Sequence, residues 1–363
     1  MSDASLIADL LDCIAADSCS DAAFNAMALR VFAHQFAHCP AIAAHARSRG
    51  RTPRTVRHWT AIPPIPIAAF KSQLISCTPI EQAAAVFMTS GTTDPSRRGR
   101  SVHATLAVYD ASMRRQFRDR FLPDHDRMTM GVLFPPPELL PHSSLAHYLG
   151  LAKEHFGTAA SAHLIGAGGL DSAQLLAFLD RAEVSGAPVA LLGASFSLVH
   201  ALDAINAADR QFRLPAGSRI LDTGGFKGQS RSIDQEAFLA MLEAGLGVPR
   251  ARCINMYGMT ELSTQFYDHG NAISPAVRTG PHWARTCVVD PISAAPVAHG
   301  ETGVLAHLDL AHVNCAVRIL TEDAGYACDD GFVLLGRVGG AEALGCSAAA
   351  DAFLQAAHGA TTP

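Results

Sequence analysis

Short apolar runs alternate with amphipathic helical patterns between Ala83 and Gly280, and this alternation constrains the fold more than any other feature. Strands that are apolar on both faces are typical of a parallel sheet, because helices cover both sides of such a sheet. The pattern predicts strands at Ala85–Thr89, Met128–Phe134, Ala162–Ile165, Val189–Leu192, Arg219–Leu221 and Arg252–Met256, and helices at Leu106–Phe121, Ser144–Phe156, Asp171–Ala182, Ser197–Ala207 and Asp234–Ala244. We therefore predict an α/β fold that binds its ligands beyond the carboxyl ends of the strands.

The sequence on either side of this core has a different character. Helical patterns fill the first fifty residues, and the prolines of Ile62–Ile67 favour an extended path after them. Beyond Gly280, turn residues separate short runs that predict a small antiparallel subdomain with strands at Cys287–Val289, Gly303–Leu308, Ala316–Leu320 and Gly331–Leu335. A tail begins at Arg337, with one short helix near Ala348–Ala357. We predict one domain, 1–336, made of segments 1–82, 83–280 and 281–336, and a short C-terminal remnant, 337–363.

Composition excludes several classes of protein. The 363 residues are 17% charged, with a net charge of −5 that gives no electrostatic footprint for nucleic acid. No apolar run has the length that a membrane span needs, and the N-terminus lacks the pattern of a secretory signal, so we expect a cytoplasmic protein. The nine cysteines form no CxxC pair, which is typical of reduced thiols. Any step that needs a lysine has three candidates, Lys71, Lys153 and Lys227.

A polar run, Thr89–Arg100, follows the first predicted strand. It holds five hydroxyl side chains, two glycines and three arginines, which together are able to wrap a polyphosphate. It is not a Walker A loop, because it contains no Gly-Lys-Ser/Thr sequence. The candidate ATP-binding residues in this run are Thr89, Ser90, Gly91, Thr92, Thr93 and Arg97.

A second motif, Asn255–Glu261, overlaps the end of a predicted strand. Tyr257 followed by Gly258 places an aromatic ring where it is able to stack on an adenine. Thr260 and Glu261 then offer a hydroxyl to a phosphate and a carboxylate to Mg²⁺, which prefers oxygen ligands.

Together these segments resemble the phosphate loop and the YG-x-T-E motif of the adenylate-forming superfamily, which includes acyl-CoA synthetases, luciferases and peptide-synthetase adenylation domains. Gly300–Leu305 is similar to the G-E-x-G-E-L turn of that superfamily, and Leu320–Gly325 is similar to its T-G-D segment. The resemblance implies the fold of the large N-terminal domain of these enzymes, with ATP and Mg²⁺ as cofactors. It also implies that Asp323, and Arg337 of the hinge-like Gly336-Arg337, hold the ribose.

A narrower resemblance, to the LuxE-type acyl-protein synthetases, covers almost the whole chain. It is carried by Ile62–Pro66 with Phe70-Lys71, by Ser90–Arg98, by Asp222–Lys227, and by Gly336-Arg337 with Leu344–Ser347. That family lacks the full C-terminal lid of acyl-CoA synthetases, so we expect this domain to be reduced or absent. A cysteine near the C-terminus takes the acyl group in that family, and Cys346 is the matching position.

The same resemblance suggests further site residues. Lys227, with Gly224 and Gly225 before it, is expected to stabilise charge on the α-phosphate and the carboxylate. The acyl pocket is expected to include the small residues of one strand end, together with a histidine that precedes a helix: Gly193, Ala194, Ser195 and His142.

Two acidic residues depart from the superfamily pattern. Asp94 replaces the glycine that usually follows S-G-T-T, and Glu322 replaces the glycine of T-G-D, so both add negative charge near a phosphate site. No lysine lies beyond Lys227, so the lid lysine of larger relatives is missing. Lys227 or an arginine of the polar run is expected to serve in its place.

The predicted activity is ATP-dependent conversion of a carboxylic acid, fatty or aryl, into an acyl-AMP with release of pyrophosphate. Acyl transfer to a thiol follows, and the thiol is Cys346, an acyl carrier protein or coenzyme A; a reductase partner is also compatible with the resemblance. Two alternatives stay open: the same adenylation with an amine acceptor, or a degenerate subunit that binds ATP or an acyl group without turnover.

Overall fold

The computed structural model describes residues 3–89, 98–224, 233–270, 274–338 and 340–359, with the backbone alone at residues 3, 340–347, 358 and 359. The α-helices in this part of the chain are α1 Asp3–Ala15, α2 Asp21–His38, α3 Pro40–Ser48, α4 Ala107–Gln116, α5 Ser144–Phe156, α6 Ser172–Ser185, α7 Ser195–Ala207, α8 Gln235–Leu246 and α9 Gly340–Gly359. The strands are β1 Ile65–Pro66, β2 Ala85–Met88, β3 Arg100–His103, β4 Thr129–Leu133, β5 Ala162–His163, β6 Ile165–Gly166, β7 Gly169–Leu170, β8 Val189–Ala194, β9 Arg219–Thr223, β10 Cys253–Tyr257, β11 Phe266–Tyr267, β12 Val277–Arg278, β13 Ala284–Val289, β14 Thr302–Asp309, β15 Arg318–Cys328 and β16 Gly331–Arg337.

These elements form two compact units that are discontinuous in sequence. The first unit consists of the described residues of 1–115, 259–265 and 277–363. The second unit consists of those of 116–258 and 266–276. No helix of the described chain is both long enough and apolar enough to cross a membrane.

The second unit contains a parallel sheet with strand order β11-β10-β9-β8-β4-β5, in which only β11 runs antiparallel to its neighbour. Every residue of β8, β9 and β10 is buried. Helices α6, α7 and α8 supply much of the apolar cluster around the sheet, including Leu175, Leu198 and Leu242. The predicted α/β fold is confirmed, since burial of both faces accounts for the continuous apolar runs.

Polar side chains mark the helix starts in this unit. Ser143, Asp171 and Asp234 cap α5, α6 and α8 by accepting a hydrogen bond from a backbone N–H of the first turn. Gly186 ends α6 with φ +66°, a left-handed conformation that glycine adopts without strain. The helix predictions from the sequence hold to within three residues at these ends.

The predicted helix over Leu106–Phe121 is more irregular than expected. The α-helix ends at Gln116, and the chain continues as a π-turn over Phe117–Phe121. The N–H of Leu122 donates to the carbonyl of Phe117 at 3.0 Å, which is the hydrogen bond that defines this wider turn.

The first unit is built around an antiparallel sheet with strand order β12-β16-β15-β14-β13. The proline-rich strand β1 adds to it in parallel, with Ile65 opposite Ile319 of β15. Arg318, at the start of β15, donates through Nη1 to the carbonyls of Thr60 and, at 2.6 Å, of Ile62. A single buried side chain therefore holds the extended segment that precedes β1.

One predicted strand does not join the parallel sheet. β2 pairs antiparallel with β3, and both strands lie in the first unit. The sequence did not indicate β3, because Arg100–His103 is largely polar. The structure nevertheless buries Ser101 and His103 there, where Ser101 Oγ lies 3.2 Å from His103 Nε2. The sequence of β3 lacks the alternation of apolar residues from which a strand is usually predicted.

Candidate functional site

The ends of the polar run Thr89–Arg100 meet in the first unit. Thr89 directly follows β2, and Gly99 directly precedes β3. The N–H of Thr89 donates to the Gly99 carbonyl at 2.9 Å, and the N–H of Gly99 donates to Thr89 Oγ1 at 2.9 Å. The candidate phosphate ligands between them, Ser90, Gly91, Thr92, Thr93 and Arg97, and the departure Asp94, lie outside the described residues, so their roles stay predictions.

Glu261 lies against the base of this run. A Cβ atom built on Gly99 would stand 3.3 Å from Glu261 Oε1 and 3.1 Å from Thr89 Cγ2. Phe70 closes the same space, with its Cβ at 3.5 Å. Glycine at position 99 therefore lets the Glu261 carboxylate approach the polar run, and residues from both sequence motifs come together within one unit.

The Glu261 carboxylate is held in a site that disfavours its charge. The side chain is 5% exposed, and this burial raises its pKa to about 7. The positive charges of Arg337 and Lys71 act to lower the pKa, whereas Glu322 acts to raise it. A bound cation would keep Glu261 ionised, so the site suits a carboxylate that binds a metal ion.

Asp323 and Arg337 face each other across β15 and β16. They are register partners, and Arg337 Nε lies 3.2 Å from Asp323 Oδ1. Arg337 Nη1 donates to Glu322 Oε2 at 3.0 Å. The sequence departure at Glu322 thus gives Arg337 a second carboxylate partner, and the local charge is balanced in part by this pairing.

A buried carboxylate fixes the segment that follows Glu261. Asp309 Oδ2 accepts hydrogen bonds from the N–H groups of Ser263 and Thr264, both at 2.8 Å. Its Oδ1 accepts from Thr264 Oγ1 at 2.7 Å and from the N–H of Ala311 at 3.0 Å. Asp309 is fully buried, and burial raises its pKa. These four hydrogen bonds anchor the backbone close to Thr260, whose own side chain is half-buried.

In the second unit, a buried polar network lies at the carboxyl ends of β8, β9 and β10. Asp222 Oδ2 accepts hydrogen bonds from Ser195 Oγ at 3.0 Å and from Asn255 Nδ2 at 2.9 Å. Thr223 Oγ1 donates to the Met256 carbonyl at 2.9 Å. This is the edge at which parallel sheets bind ligands.

The remaining candidates of this unit lie near that edge or on the surface. Tyr257 is the last residue of β10, is 8% exposed and packs on Phe266, whereas Gly258 after it is exposed. A Cβ on Gly193 would meet the Leu133 carbonyl at 2.8 Å, so glycine permits close strand packing there. The other candidates are buried Ala194, exposed His142, and Gly224 with φ +77°.

Three further candidates, besides those of the polar run, have no described position or side chain. Gly225 and Lys227 lie outside the described residues. Cys346 belongs to α9, of which only the backbone is described at that position. Predictions for all three stand as they were made from the sequence.

The donor set around Glu261 is compatible with Mg²⁺. Among the described residues, no group of three or more His, Cys, Asp or Glu side chains is arranged to hold a metal ion. Mg²⁺ bound together with nucleotide phosphates needs only one or two carboxylates from the protein. Glu261 supplies one such group, which is why its burial beside the polar run is informative.

Four residues of these clusters were not singled out as site residues from the sequence: Lys71, Gly99, Asp222 and Asp309. Lys71 and Glu261 are separated by 190 positions, and no local pattern joins them. Asp309 ends a strand whose other residues follow an ordinary buried pattern. The sequence signals near them were Phe70-Lys71 and Asp222–Lys227, which carry the family resemblance, and the polar run that includes Gly99; none of these signals indicates a contact with Glu261 or a role for Asp309.

Comparison with solved structures identifies the fold as that of the large N-terminal domain of adenylate-forming enzymes. 2-Hydroxyisobutyryl-CoA ligase in complex with 2-HIB-AMP is similar, with a TM-score of 0.66 and 16% identity over 88% of this chain and 68% of that one. ATP-bound MatB from Rhodopseudomonas palustris gives a TM-score of 0.51 and 17% identity over 72% of this chain and 49% of that one. The predicted fold class is confirmed.

Sequence comparison narrows the resemblance. The chain is 24% identical over 161 residues to the long-chain-fatty-acid–luciferin-component ligase of Vibrio harveyi, a match that covers 43% of this chain and 41% of that ligase. The predicted resemblance to the LuxE-type acyl-protein synthetases is thereby confirmed. No family model matches the chain. The matched part spans less than half of the curated relative.

Proposed function

We propose that the chain is an acyl-adenylate-forming ligase that activates a carboxylic acid with ATP. The observation that carries this proposal is the position of Glu261, buried at the base of the polar run Thr89–Arg100 with Lys71 and Arg337 acting on its charge. A buried carboxylate beside a hydroxyl- and arginine-rich segment suits a metal–triphosphate complex. The fold of adenylate-forming enzymes supports the same assignment.

In this proposal each sequence motif binds a different part of ATP. Ser90, Thr92, Thr93 and Arg97 cradle the β- and γ-phosphates, assisted by Thr89 and Gly91. Tyr257 stacks on the adenine next to Gly258, and Thr260 contacts a phosphate. Asp323 holds the ribose hydroxyls, and Arg337 keeps Asp323 oriented through their ion pair. When bound, Mg²⁺ supplies charge neutralisation at the phosphates, with Glu261 as its ligand from the protein.

The first step forms one bond and breaks one. A carboxylate oxygen of the acid attacks the α-phosphorus of ATP, and pyrophosphate leaves with the electrons of the broken P–O bond. The protein contributes position and charge stabilisation to this in-line displacement. Lys227, preceded by Gly224 and Gly225, and Lys71 are the lysines proposed to stabilise the negative charge, in place of a lid lysine.

The second step transfers the acyl group to a thiol. A thiolate attacks the acyl carbon, a C–S bond forms, and AMP leaves as the C–O bond of the anhydride breaks. The proposed thiol is Cys346, an acyl carrier protein or coenzyme A. The acid is fatty or aryl and is proposed to lie against Gly193, Ala194 and Ser195, with His142 near the pocket.

The adenylation step is tested by carboxylate-dependent ATP–pyrophosphate exchange across a panel of fatty and aryl acids. We expect exchange with at least one acid, and loss of most of it in Glu261→Ala. The matched control is Glu154→Ala, which removes an exposed glutamate from α5. Nucleotide binding without exchange for any acid would contradict the proposal and favour the degenerate binding subunit.

The acceptor is tested separately on Cys346→Ser. With the labelled acid and ATP, the wild type is expected to carry a thioester that hydroxylamine removes, and the variant is expected to lose it. Cys328→Ser, which changes a half-buried thiol of β15, is the control. Labelling retained in Cys346→Ser would exclude this cysteine, and product formed only with an added amine would favour the amide synthetase.

A further inference from the structure

A cationic cavity of about 250 Å³ lies in the first unit, apart from the residues assigned to the nucleotide. Among the described residues, its lining contains four basic side chains and no carboxylate: His45, Arg49, Arg51 and Arg318. Prolines and other apolar side chains form the rest of the wall, among them Ile62 and Leu320. All these residues belong to the part of the chain that the structure describes.

Arg318 is buried in the wall of this cavity without a carboxylate partner among the described residues. It is 2% exposed, and burial lowers its pKa. Only Nη1 is engaged, by the carbonyls of Thr60 and Ile62, while Nε and Nη2 have no hydrogen-bond partner in the described chain. A buried guanidinium with unused donors is costly unless an anion pairs with it.

His45 repeats this pattern beside it. The side chain is 2% exposed and its Nδ1 lacks a hydrogen-bond partner in the described chain. Burial and the nearby charge of Arg49 lower its pKa to about 4, so the imidazole is neutral and able to donate or accept a hydrogen bond. The nearby thiol of Cys287 is also neutral at pH 7, because burial raises its pKa.

The local sequence strengthens the positive charge. No aspartate or glutamate occurs from residue 22 to residue 80, although the whole chain has a net charge of −5. The same stretch carries six arginines and one lysine. Asp290 is next to the cavity-lining Pro291, and its carboxylate accepts a hydrogen bond from Ser293 Oγ at 2.8 Å within its own turn. The described side chains that line the cavity therefore carry a net positive charge.

We propose that this cavity binds the phosphate group of a phosphate monoester. Arginine forks match the oxygens of a phosphate, and three guanidinium groups favour a dianion over a carboxylate. The apolar wall suits the organic body of such a ligand. The inference does not depend on acid activation, because binding is measured without an acid or ATP.

The test is calorimetric titration of the full chain with inorganic phosphate, 4′-phosphopantetheine and pantetheine. The last two differ only by the phosphate, so they isolate its contribution, and comparison of inorganic phosphate with 4′-phosphopantetheine distinguishes a free anion from the arm of a thiol acceptor. We expect 4′-phosphopantetheine or phosphate to bind, with an affinity that falls as salt is raised, and pantetheine to bind at least about tenfold more weakly. The proposal would be overturned if 4′-phosphopantetheine and pantetheine bound with equal affinity, or if neither inorganic phosphate nor 4′-phosphopantetheine bound.

Variants locate the site. Arg49→Gln combined with Arg51→Gln removes two exposed cations and is expected to weaken phosphate binding about tenfold or more without unfolding the chain. Arg54→Gln removes an exposed arginine of the same basic stretch that does not line the cavity, and is expected to bind as the wild type does. Phosphate binding that is unchanged in the double variant would refute this location. Exchange activity measured on the same variants reports separately on the proposed ligase.

Discussion

At the scale of single residues, Glu261 is where burial and the proposed function conflict most directly. Because this carboxylate is 5% exposed, its charged form loses hydration, and this raises its pKa to about 7. The positive charges of Lys71 and Arg337 compensate for the lost hydration only in part. Such a group destabilises the unliganded fold at the pH at which an enzyme works. Perturbed carboxylates of this kind are concentrated at functional sites.

Glu261→Gln is expected to stabilise the ligand-free, metal-free protein above pH 7. The folded pKa of about 7 exceeds the ordinary value of 4.5, so the wild type loses stability as pH rises from about 4.5 to 7. The full difference corresponds to roughly 3 kcal/mol, and glutamine does not titrate. Urea denaturation at pH 5 and pH 8 measures it. A stability difference that does not grow with pH would contradict the raised pKa.

Lys71→Met is expected to impair the proposed exchange reaction most at neutral pH. Removing this positive charge raises the pKa of Glu261 further, so a smaller fraction is ionised at pH 7. We expect kcat/KM to fall about tenfold at pH 7 and less at pH 9. Lys153→Met, in α5 of the second unit, is the control. Parallel pH profiles for wild type and Lys71→Met would show that Lys71 does not act through Glu261.

At the scale of elements, the segment 259–265 is positioned by side chains more than by regular structure. Asp309 accepts four hydrogen bonds, three of them from Ser263 and Thr264. Trp283 Nε1 donates to Thr264 Oγ1 at 3.1 Å and adds a further constraint. The segment therefore has a defined conformation without belonging to a helix or a sheet.

Asp309→Asn is expected to destabilise the protein by about 3 kcal/mol, because one amide oxygen cannot serve four donors. Exchange activity should fall in parallel as Glu261 loses its fixed position. Thermal unfolding and the exchange assay measure both effects. Asp351→Asn, an exposed change on α9, should alter neither. An Asp309→Asn protein with wild-type stability would argue against the anchoring role.

Gly99→Ala tests the close approach of the polar run to Glu261. The new methyl group would stand 3.1 Å from Thr89 Cγ2 and 3.3 Å from Glu261 Oε1, so these neighbours must move by a few tenths of an ångström. We expect exchange to fall about tenfold with a small change in stability. Gly168→Ala, where a Cβ meets nothing within 4 Å, is the control. Full activity in Gly99→Ala would mean that this spacing is unimportant.

The elements also show what sequence reasoning is able to reach. The buried strands β8, β9 and β10 were predictable because burial on both faces leaves an apolar run, and α5 because Ser143 caps its start. The pairing of β2 with β3 and the environment of Glu261 were not, because each joins residues whose contact depends on tertiary structure. The predicted domain boundaries and the roles of Ser90–Arg97, Lys227 and Cys346 remain predictions.

At the scale of the whole molecule, a nucleotide ligand should stabilise the folded chain by mass action. With Mg²⁺-ATP at one hundred times its dissociation constant, the gain is about 2.7 kcal/mol. Thermal denaturation with and without Mg²⁺-ATP measures it, and Tyr257→Ala should reduce the gain. Phe196→Ala, in α7, serves as an aromatic control. No stabilisation at millimolar Mg²⁺-ATP would count against any nucleotide-dependent function.

The two carbonyl contacts of Arg318 have a consequence for how this fold tolerates change. Prolines at 63, 64 and 66 lack the N–H groups with which an ordinary strand would hydrogen-bond to its neighbour. The Arg318 guanidinium supplies side-chain hydrogen bonds to this segment in their place, at the carbonyls of Thr60 and Ile62. Lysine would keep the charge but not the planar guanidinium, whose Nη1 alone donates to both carbonyls. Here the architecture depends on the shape of one side chain, and a substitution that is usually called conservative would loosen the proline-rich segment.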